Sequence, residues 1–154
     1  MGVFCFAEID LGTIFTILST IMLGVIGICI SYRFSRINKK REEDRFLKEI
    51  FLEYNSKYGR VNEHLKTATE KEDISQLNSK EINAIIDYFN ICAEEYFWYS
   101  KGRINDERVW RAWKAGMKYW YKHNIIKEMW KREIQSKDGI ITYYLENGNE
   151  FFHD

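Results

Sequence analysis

Residues 101–137 combine basic and aromatic side chains at helical spacing. The segment holds eleven basic and four acidic residues, which gives it a net charge of +7 in a chain whose overall charge is zero. At about 100° per residue, one stripe of such a helix is basic and consists of Arg111, Lys114, Lys118 and Lys122. The neighbouring stripe is apolar and consists of Trp110, Trp113, Met117, Trp120 and Tyr121. This segment is the strongest chemical signal in the sequence.

A helix of this kind suits an anionic ligand that carries flat rings. Arg and Lys side chains hold phosphates, while Trp and Tyr faces stack on nucleobases. The candidate ligand-binding residues are Arg108, Trp110, Arg111, Lys114, Lys118, Tyr121 and Lys122. Two other interpretations stay open. The aromatic stripe could be core beneath a solvated basic face, which is favoured for Trp113, Met117 and Trp120, or the helix could lie on an anionic membrane surface.

The sequence offers no catalytic or metal-binding pattern. His64, His123 and His153 are isolated and lack the spacing of known metal-ligand motifs. Glu94 and Glu95 are adjacent, so they face different directions on a helix and make a poor acid–base pair. The three cysteines form neither a disulfide framework nor a CxxC metal pair. We therefore predict a protein that is not an enzyme and needs no metal or cofactor.

Residues 11–32 form an uncharged run of 22 residues between Asp10 and Arg33. As a helix of about 33 Å, the run is long enough to cross the roughly 30 Å hydrocarbon core of a bilayer. A secretory signal peptide is the competing interpretation. It fits poorly, because residues 1–10 contain no basic residue and no small-residue cleavage pattern follows the run. The sequence predicts one transmembrane helix after a short extracytoplasmic N-terminus at residues 1–10.

Charge on the two sides of the span predicts its orientation. The basic residues that follow it at once are Arg33, Arg36, Lys39, Lys40 and Arg41, whereas only Glu8 and Asp10 carry charge before it. The positive-inside rule places the N-terminus outside and residues 33–154 in the cytoplasm of a bacterial cell, at the inner membrane. Residues 33–42 then form a basic juxtamembrane segment that meets lipid head groups. The cytoplasmic part has a net charge of only +2, which does not indicate duplex nucleic acid as a partner.

Residues 43–154 are predicted to form one small, mostly α-helical cytoplasmic domain. The chain has no proline, and apolar residues recur at helical spacing through most of this region. The first helix continues from the anchor to about residue 66 and is followed by a polar loop at residues 67–78. Asn78 and Glu81 form a capping-box pattern that opens a second helix, which ends near Ser100.

The rest of the domain is predicted as a third helix and a hairpin. Asn105 opens a helix that continues, after a kink near Asn124, towards Asp138–Gly139. The tail then carries apolar and aromatic residues on both sides of Asn147–Gly148, a pair suited to a type I′ turn. We therefore predict a C-terminal β-hairpin with strands at residues 140–145 and 150–153.

A heptad-like seam on the first helix leaves two arrangements open. Its apolar positions are Leu47, Phe51, Tyr54, Tyr58, Val61 and Leu65. The spacing fits an amphipathic helix packed on its own domain, and it also fits a parallel oligomeric stalk. Fewer than three heptads favour the first arrangement.

Further features lie at residues 82–132. They are Phe89–Asn90 and Glu94 on one helix, Gly102-x-Ile104-x-Asp106-Glu107 after it, and then the basic and aromatic helix. In these features the chain resembles a family of small bacterial single-pass membrane proteins defined only as a domain of unknown function. The resemblance covers about a third of the chain and implies no assigned chemistry.

The layout of anchor, small helical domain and basic–aromatic surface is similar to that of the membrane effectors of type III CRISPR systems. The similarity implies a homotetrameric antiviral effector that binds a cyclic oligoadenylate, with cyclic tetra-adenylate favoured, and thereby perturbs the membrane. A different function also fits the sequence. The same helix could belong to a membrane-tethered interaction module that docks a partner protein or anionic lipid.

Overall fold

The computed structural model describes residues 10–104, 106–135, 137–145 and 152. The helices are α1 (Leu11–Thr69), α2 (Ser79–Ser100), α3 (Glu107–Tyr121), α4 (Asn124–Glu133) and α5 (Lys137–Thr142), with a 3₁₀ turn at Ile74–Gln76. No residue in these ranges belongs to a strand, so the predicted mostly α-helical class is confirmed. The chain divides into two compact units, Met1–Phe46 and Leu47–Asp154.

The first unit contains the apolar part of α1. Every large apolar side chain from Leu11 to Tyr32 is exposed on the surface of the helix. The hydroxyls of Thr16 and Thr20 donate to the carbonyls of Gly12 and Thr16 at 2.8 Å, so they are satisfied inside the helix. The helix is long enough and apolar enough to cross a membrane.

The second unit uses the heptad-like seam of α1 for its own core. Tyr54, Val61 and Leu65 are buried within this unit. The edge of the Tyr54 ring meets the ring of Trp113 on α3 at a centroid distance of 5.2 Å. This part of the seam is therefore covered within one subunit, as the amphipathic-helix interpretation predicts, whereas Phe51 nearer its start is 37% exposed.

Aromatic rings on α2, on α4 and on the C-terminal segment form the centre of the core. The described residues of the C-terminal segment are 137–145 and 152. Trp130 is 1% exposed and lies against Phe89, Tyr143 and Phe152, with ring centroids 4.9, 5.0 and 5.2 Å away. Most of these rings meet edge to face or tilted, which is the favourable arrangement for aromatic quadrupoles. This cluster fixes α4 and the C-terminal segment on α2.

The predicted start and end of α2 are both confirmed. The Asn78 side chain accepts hydrogen bonds from the backbone N–H groups of Lys80 and Glu81, and the Glu81 carboxylate accepts one from the Asn78 N–H. At the other end, Gly102 adopts a φ of +65°, which a side chain would disfavour. Local chemistry therefore sets both ends of α2, which contributes more buried residues than any other described helix.

Replacing Asn78 by alanine is expected to lower the free energy of unfolding by about 1 kcal/mol, because two helix N–H groups lose their acceptor. Denaturant unfolding of the full chain in a non-ionic detergent, followed by tryptophan fluorescence, measures the change. Asn83→Ala is the matched control, since Asn83 is exposed inside α2. Equal losses in both variants would show that the cap contributes nothing.

The first strand of the predicted β-hairpin is wrong. Residues Ile140, Ile141 and Thr142 lie in the short helix α5, and Tyr143 and Tyr144 form a turn. The Tyr143 and Leu145 side chains are buried in the core, which a solvent-exposed two-stranded ribbon would not provide. The Asn147–Gly148 turn lies outside the described residues, and so does the second strand except for Phe152.

The third predicted helix is divided in two. The break falls at Lys122 and His123, where α3 ends and α4 begins, close to the kink predicted near Asn124. Asn105 lies outside the described residues. Asp106 is the N-cap of α3, and its carboxylate accepts a hydrogen bond from the Arg108 N–H at 2.9 Å.

Candidate functional site

Helix α3 presents its predicted basic stripe on the outer side of the second unit. Arg111 and Lys122 are exposed, while Lys114 and Lys118 are partly buried. The Lys122 ammonium lies 4.4 Å from the centre of the Tyr119 ring, and the Arg111 Nε donates to the Glu107 carbonyl at 3.4 Å. Arg111, Lys114 and Lys118 follow one another along one face of α3, as the sequence predicted, and Lys122 follows them as the C-cap.

Arg108 is already engaged by the residue that caps the helix. Its Nε and one terminal nitrogen donate to the two carboxylate oxygens of Asp106 at 3.0 and 2.7 Å. These bonds lower the pKa of Asp106 to about 2. A ligand that binds Arg108 must therefore compete with a two-point carboxylate contact.

The two rings that were predicted to stack on a nucleobase, Trp110 and Tyr121, stack on other rings of the same chain. Trp110 is buried and stacks face to face on Tyr99 at 4.1 Å, with an interplanar angle of 7°. Tyr121 stacks on Phe152 at 3.8 Å and 3°. In this arrangement each ring has one face covered by a ring of the same chain, and Trp110 has little surface left for a nucleobase.

Trp113 and Met117 lie in the core, as the alternative interpretation of the aromatic stripe predicted. Trp113 packs against rings on α1, and Met117 is fully buried. The Tyr88 hydroxyl donates to the Met117 carbonyl at 2.5 Å, which ties α3 to α2. Trp120 is only partly buried and meets the edge of Tyr119.

The structure also brings together a buried polar cluster that the sequence interpretation missed. Glu95 on α2 is 1% exposed, and its carboxylate accepts a hydrogen bond from the Tyr58 hydroxyl of α1 at 3.0 Å. Burial is the main reason why the pKa of Glu95 rises to about 8, and the neighbouring Glu94 raises it further against the opposing effects of Tyr58 and Lys57. Glu95 is therefore mostly protonated at neutral pH.

The titratable groups around Glu95 also have shifted pKa values. Burial also raises the pKa values of Tyr58, Tyr88 and Cys92 above their ordinary ranges. The signal in the sequence was the stripe Tyr88, Cys92, Glu95 and Tyr99, which places an acid on the apolar face of α2. The adjacency of Glu94 and Glu95 predicted correctly that the two side chains face different directions, but it did not show that Glu95 lies in the core.

Glu94 faces outward beside a charged cavity. The Lys57 ammonium lies 2.8 Å from a Glu53 carboxylate oxygen and 2.5 Å from one of Glu94. Partial burial opposes the charge on Lys57, but the hydrogen bonds to both carboxylates outweigh it and raise the pKa of Lys57. The cavity beside this pair has a volume of about 330 Å³ and is lined by residues of α1, α2 and the C-terminal segment.

Potential metal ligands are scattered. Among residues 10–104, 106–135, 137–145 and 152, no three His, Cys, Asp or Glu side chains are grouped so that they could hold a metal ion. His123 is partly buried next to Trp120, and its pKa is lowered by burial and by the charge of Lys122. His153 lies outside the described residues.

Comparisons of the chain with protein-family models, curated proteins and solved structures return no match. The resemblance to a family of small single-pass membrane proteins and the similarity to type III CRISPR effectors therefore stay predictions.

Proposed function

We propose that this chain is a single-pass membrane protein whose cytoplasmic domain binds an anionic ligand. The observation that carries the proposal is the exposed apolar surface of α1 between Leu11 and Tyr32, because a soluble protein would not leave such a surface in water. The basic residues from Arg33 onward support an orientation with the N-terminus outside and the domain in the cytoplasm of a bacterial cell.

The proposed ligand is a cyclic oligoadenylate, with cyclic tetra-adenylate favoured. The cations along α3 and at its C-cap support an anionic ligand, since Arg111, Lys114, Lys118 and Lys122 offer a row of phosphate-binding groups on one side. A homotetramer would offer the same row four times to a ligand with fourfold symmetry. Ligand binding then perturbs the membrane segment, provided that the ligand has different affinities for two packings of the anchors. In this proposal the protein is an antiviral effector that disrupts membrane integrity.

The double substitution Arg111→Ala plus Lys118→Ala is expected to weaken binding of cyclic tetra-adenylate at least about a hundredfold, because two charge-assisted contacts are lost. The measurement is calorimetric titration of the full chain in a non-ionic detergent, with linear oligoadenylates of the same length titrated in parallel. Light scattering on the same samples gives the oligomer size.

Lys71→Ala plus Lys80→Ala is the matched control, since both lysines are exposed and lie outside α3. It removes the same charge and is expected to leave affinity unchanged. Wild-type affinity in the Arg111 and Lys118 variant would reject these residues as the site. A wild-type protein that binds no oligoadenylate would reject the ligand.

A second function is favoured by the packing of the rings. Trp110 is buried against Tyr99 and Tyr121 is stacked on Phe152, so mainly cations face outward along α3. Such a face suits an extended anionic surface, and the protein would then be a tethered module that docks on anionic lipid. Binding of the detergent-solubilised chain to phosphatidylglycerol vesicles that falls steeply with salt, without oligoadenylate affinity, would support this function over the first.

A further inference from the structure

The cavity beside Lys57 and Glu94 is a second candidate site, separate from the basic face of α3. We infer that it binds a small zwitterion, a molecule that carries one oxyanion and one primary ammonium group. Its volume of about 330 Å³ lies at the lower end of the range for small-molecule pockets, which suits a ligand the size of an amino acid.

The charges that line the cavity are balanced. Lys57 and Arg60 on α1 and Asp87 and Glu94 on α2 line it, so two cations and two carboxylates share one cavity. A polyanion such as an oligonucleotide would meet both carboxylates and be repelled, whereas a ligand with both signs of charge is matched. The site therefore differs in ligand chemistry from α3, and it does not depend on the function proposed for that helix.

Two of the four charged groups are open to a ligand. The Lys57 ammonium is held by Glu53 and Glu94. In contrast, Arg60 and Asp87 are exposed, and neither has an ion-pair partner among the described residues. The Arg60 guanidinium is suited to a carboxylate or phosphate, and the Asp87 carboxylate to an ammonium group.

The remaining lining supplies hydrogen bonds, a ring and an apolar wall. Asn90 offers an amide on the turn of α2 that follows Asp87. Tyr144 lies at the cavity; the residue is 63% exposed and has a φ of 58°, a backbone conformation that non-glycine residues rarely adopt. This ring lies 5.2 Å from the Phe97 ring, about three helical turns along α2 from Asp87, so it lines the cavity away from the proposed ammonium contact. The buried side chains of Val61 and Ile91 form the apolar wall.

The test is calorimetric titration of the full chain in a non-ionic detergent, because a zwitterionic detergent would compete for the site. Three probes separate the two sources of this chemistry: L-leucine and L-phenylalanine represent free amino acids, and O-phosphoethanolamine represents a lipid head group. We expect saturable binding of at least one probe, with one site per chain. Absence of binding of all three probes at millimolar concentration would overturn the inference.

Ligand analogues and variants test the two contacts separately. If L-leucine binds, 4-methylpentanoate lacks its ammonium and isopentylamine lacks its carboxylate, and each is expected to bind at least about tenfold more weakly. For whichever probe binds, Arg60→Gln and Asp87→Asn are each expected to weaken binding about ten- to a hundredfold. Both side chains are exposed and have no ion-pair partner in the part of the chain that the structure describes, so the thermal midpoint of unfolding should not change.

Lys66→Gln is the matched control, because Lys66 is an exposed cation on α1 outside the cavity. Wild-type affinity in both Arg60→Gln and Asp87→Asn, or equal weakening in Lys66→Gln, would overturn the assignment of the site. The Arg111→Ala plus Lys118→Ala protein should bind the zwitterion normally, so failure of the site on α3 and failure of this cavity are distinguishable.

Discussion

Glu95→Gln is expected to remove most of the pH dependence of stability between about pH 4.5 and pH 8. The folded protein raises the pKa of Glu95 from 4.5 to about 8, chiefly because the carboxyl is buried. Between these two values the folded state keeps a proton that the unfolded state has lost, so the free energy of unfolding falls as pH rises. Below pH 4.5 both states are protonated and above pH 8 both are ionised, which confines the loss to this window.

The size of the effect follows from the shift. Each pKa unit corresponds to about 1.4 kcal/mol, so the wild-type protein should lose on the order of 4 kcal/mol across the window. Glutamine has nearly the same shape, stays neutral and still accepts the hydrogen bond from Tyr58. We therefore expect the variant to be similar to wild type near pH 5 and clearly more stable near pH 9.

Denaturant unfolding at a series of pH values, followed by tryptophan fluorescence, measures both curves. Glu63→Gln is the control, because Glu63 is an exposed carboxylate on α1. It should reproduce the wild-type slope. A wild-type protein whose stability does not change between pH 5 and pH 8 would show that Glu95 is ionised in the folded state.

Trp130→Ala is expected to lower the free energy of unfolding by about 3–5 kcal/mol, the usual cost of removing a buried aromatic side chain. Trp130 is 1% exposed and touches rings on α2 and in the C-terminal segment. Its loss would leave a cavity between three elements, which cannot collapse without moving α4 away from α2. The measurement is denaturant unfolding followed by far-ultraviolet circular dichroism, which does not depend on the removed fluorophore.

Trp120→Ala provides the matched comparison, because the same side chain is removed from a partly buried position on α3. We expect a loss of about 1 kcal/mol, since less apolar area is withdrawn from water there. Equal losses at the two positions would mean that the aromatic cluster around Trp130 is not the centre of the core.

The main features of the fold could be predicted because local chemistry sets them. The uncharged run at residues 11–32 needs no tertiary partner to be recognised as a candidate span. Asn78 with Glu81, and Gly102, set the start and end of α2 through backbone hydrogen bonds and a positive φ within a few residues. Helical spacing likewise placed Arg111, Lys114 and Lys118 on one face of α3.

The errors fall where packing outweighs local preference. The pattern around residues 140–145 is typical of a strand, but the Tyr143 ring lies against Phe89 and Trp130, and its hydroxyl donates to Glu133 at 3.0 Å. These contacts are available to a short helix and turn at the surface of α2 and α4. The strand preference of β-branched and aromatic residues over six positions is weak compared with the burial of one aromatic ring.

The sequence by itself determined an apolar span, a mostly helical domain and the outward cations of α3, since each depends on residue type and on spacing within one segment. Only the tertiary structure decided that the Trp110 and Tyr121 rings stack inside the chain, that Glu95 lies in the core, and that Arg60 and Asp87 line one cavity. Each of these facts depends on which helices meet and at which faces. Such contacts join residues tens of positions apart, as Tyr58 and Glu95 are, and no local pattern records them.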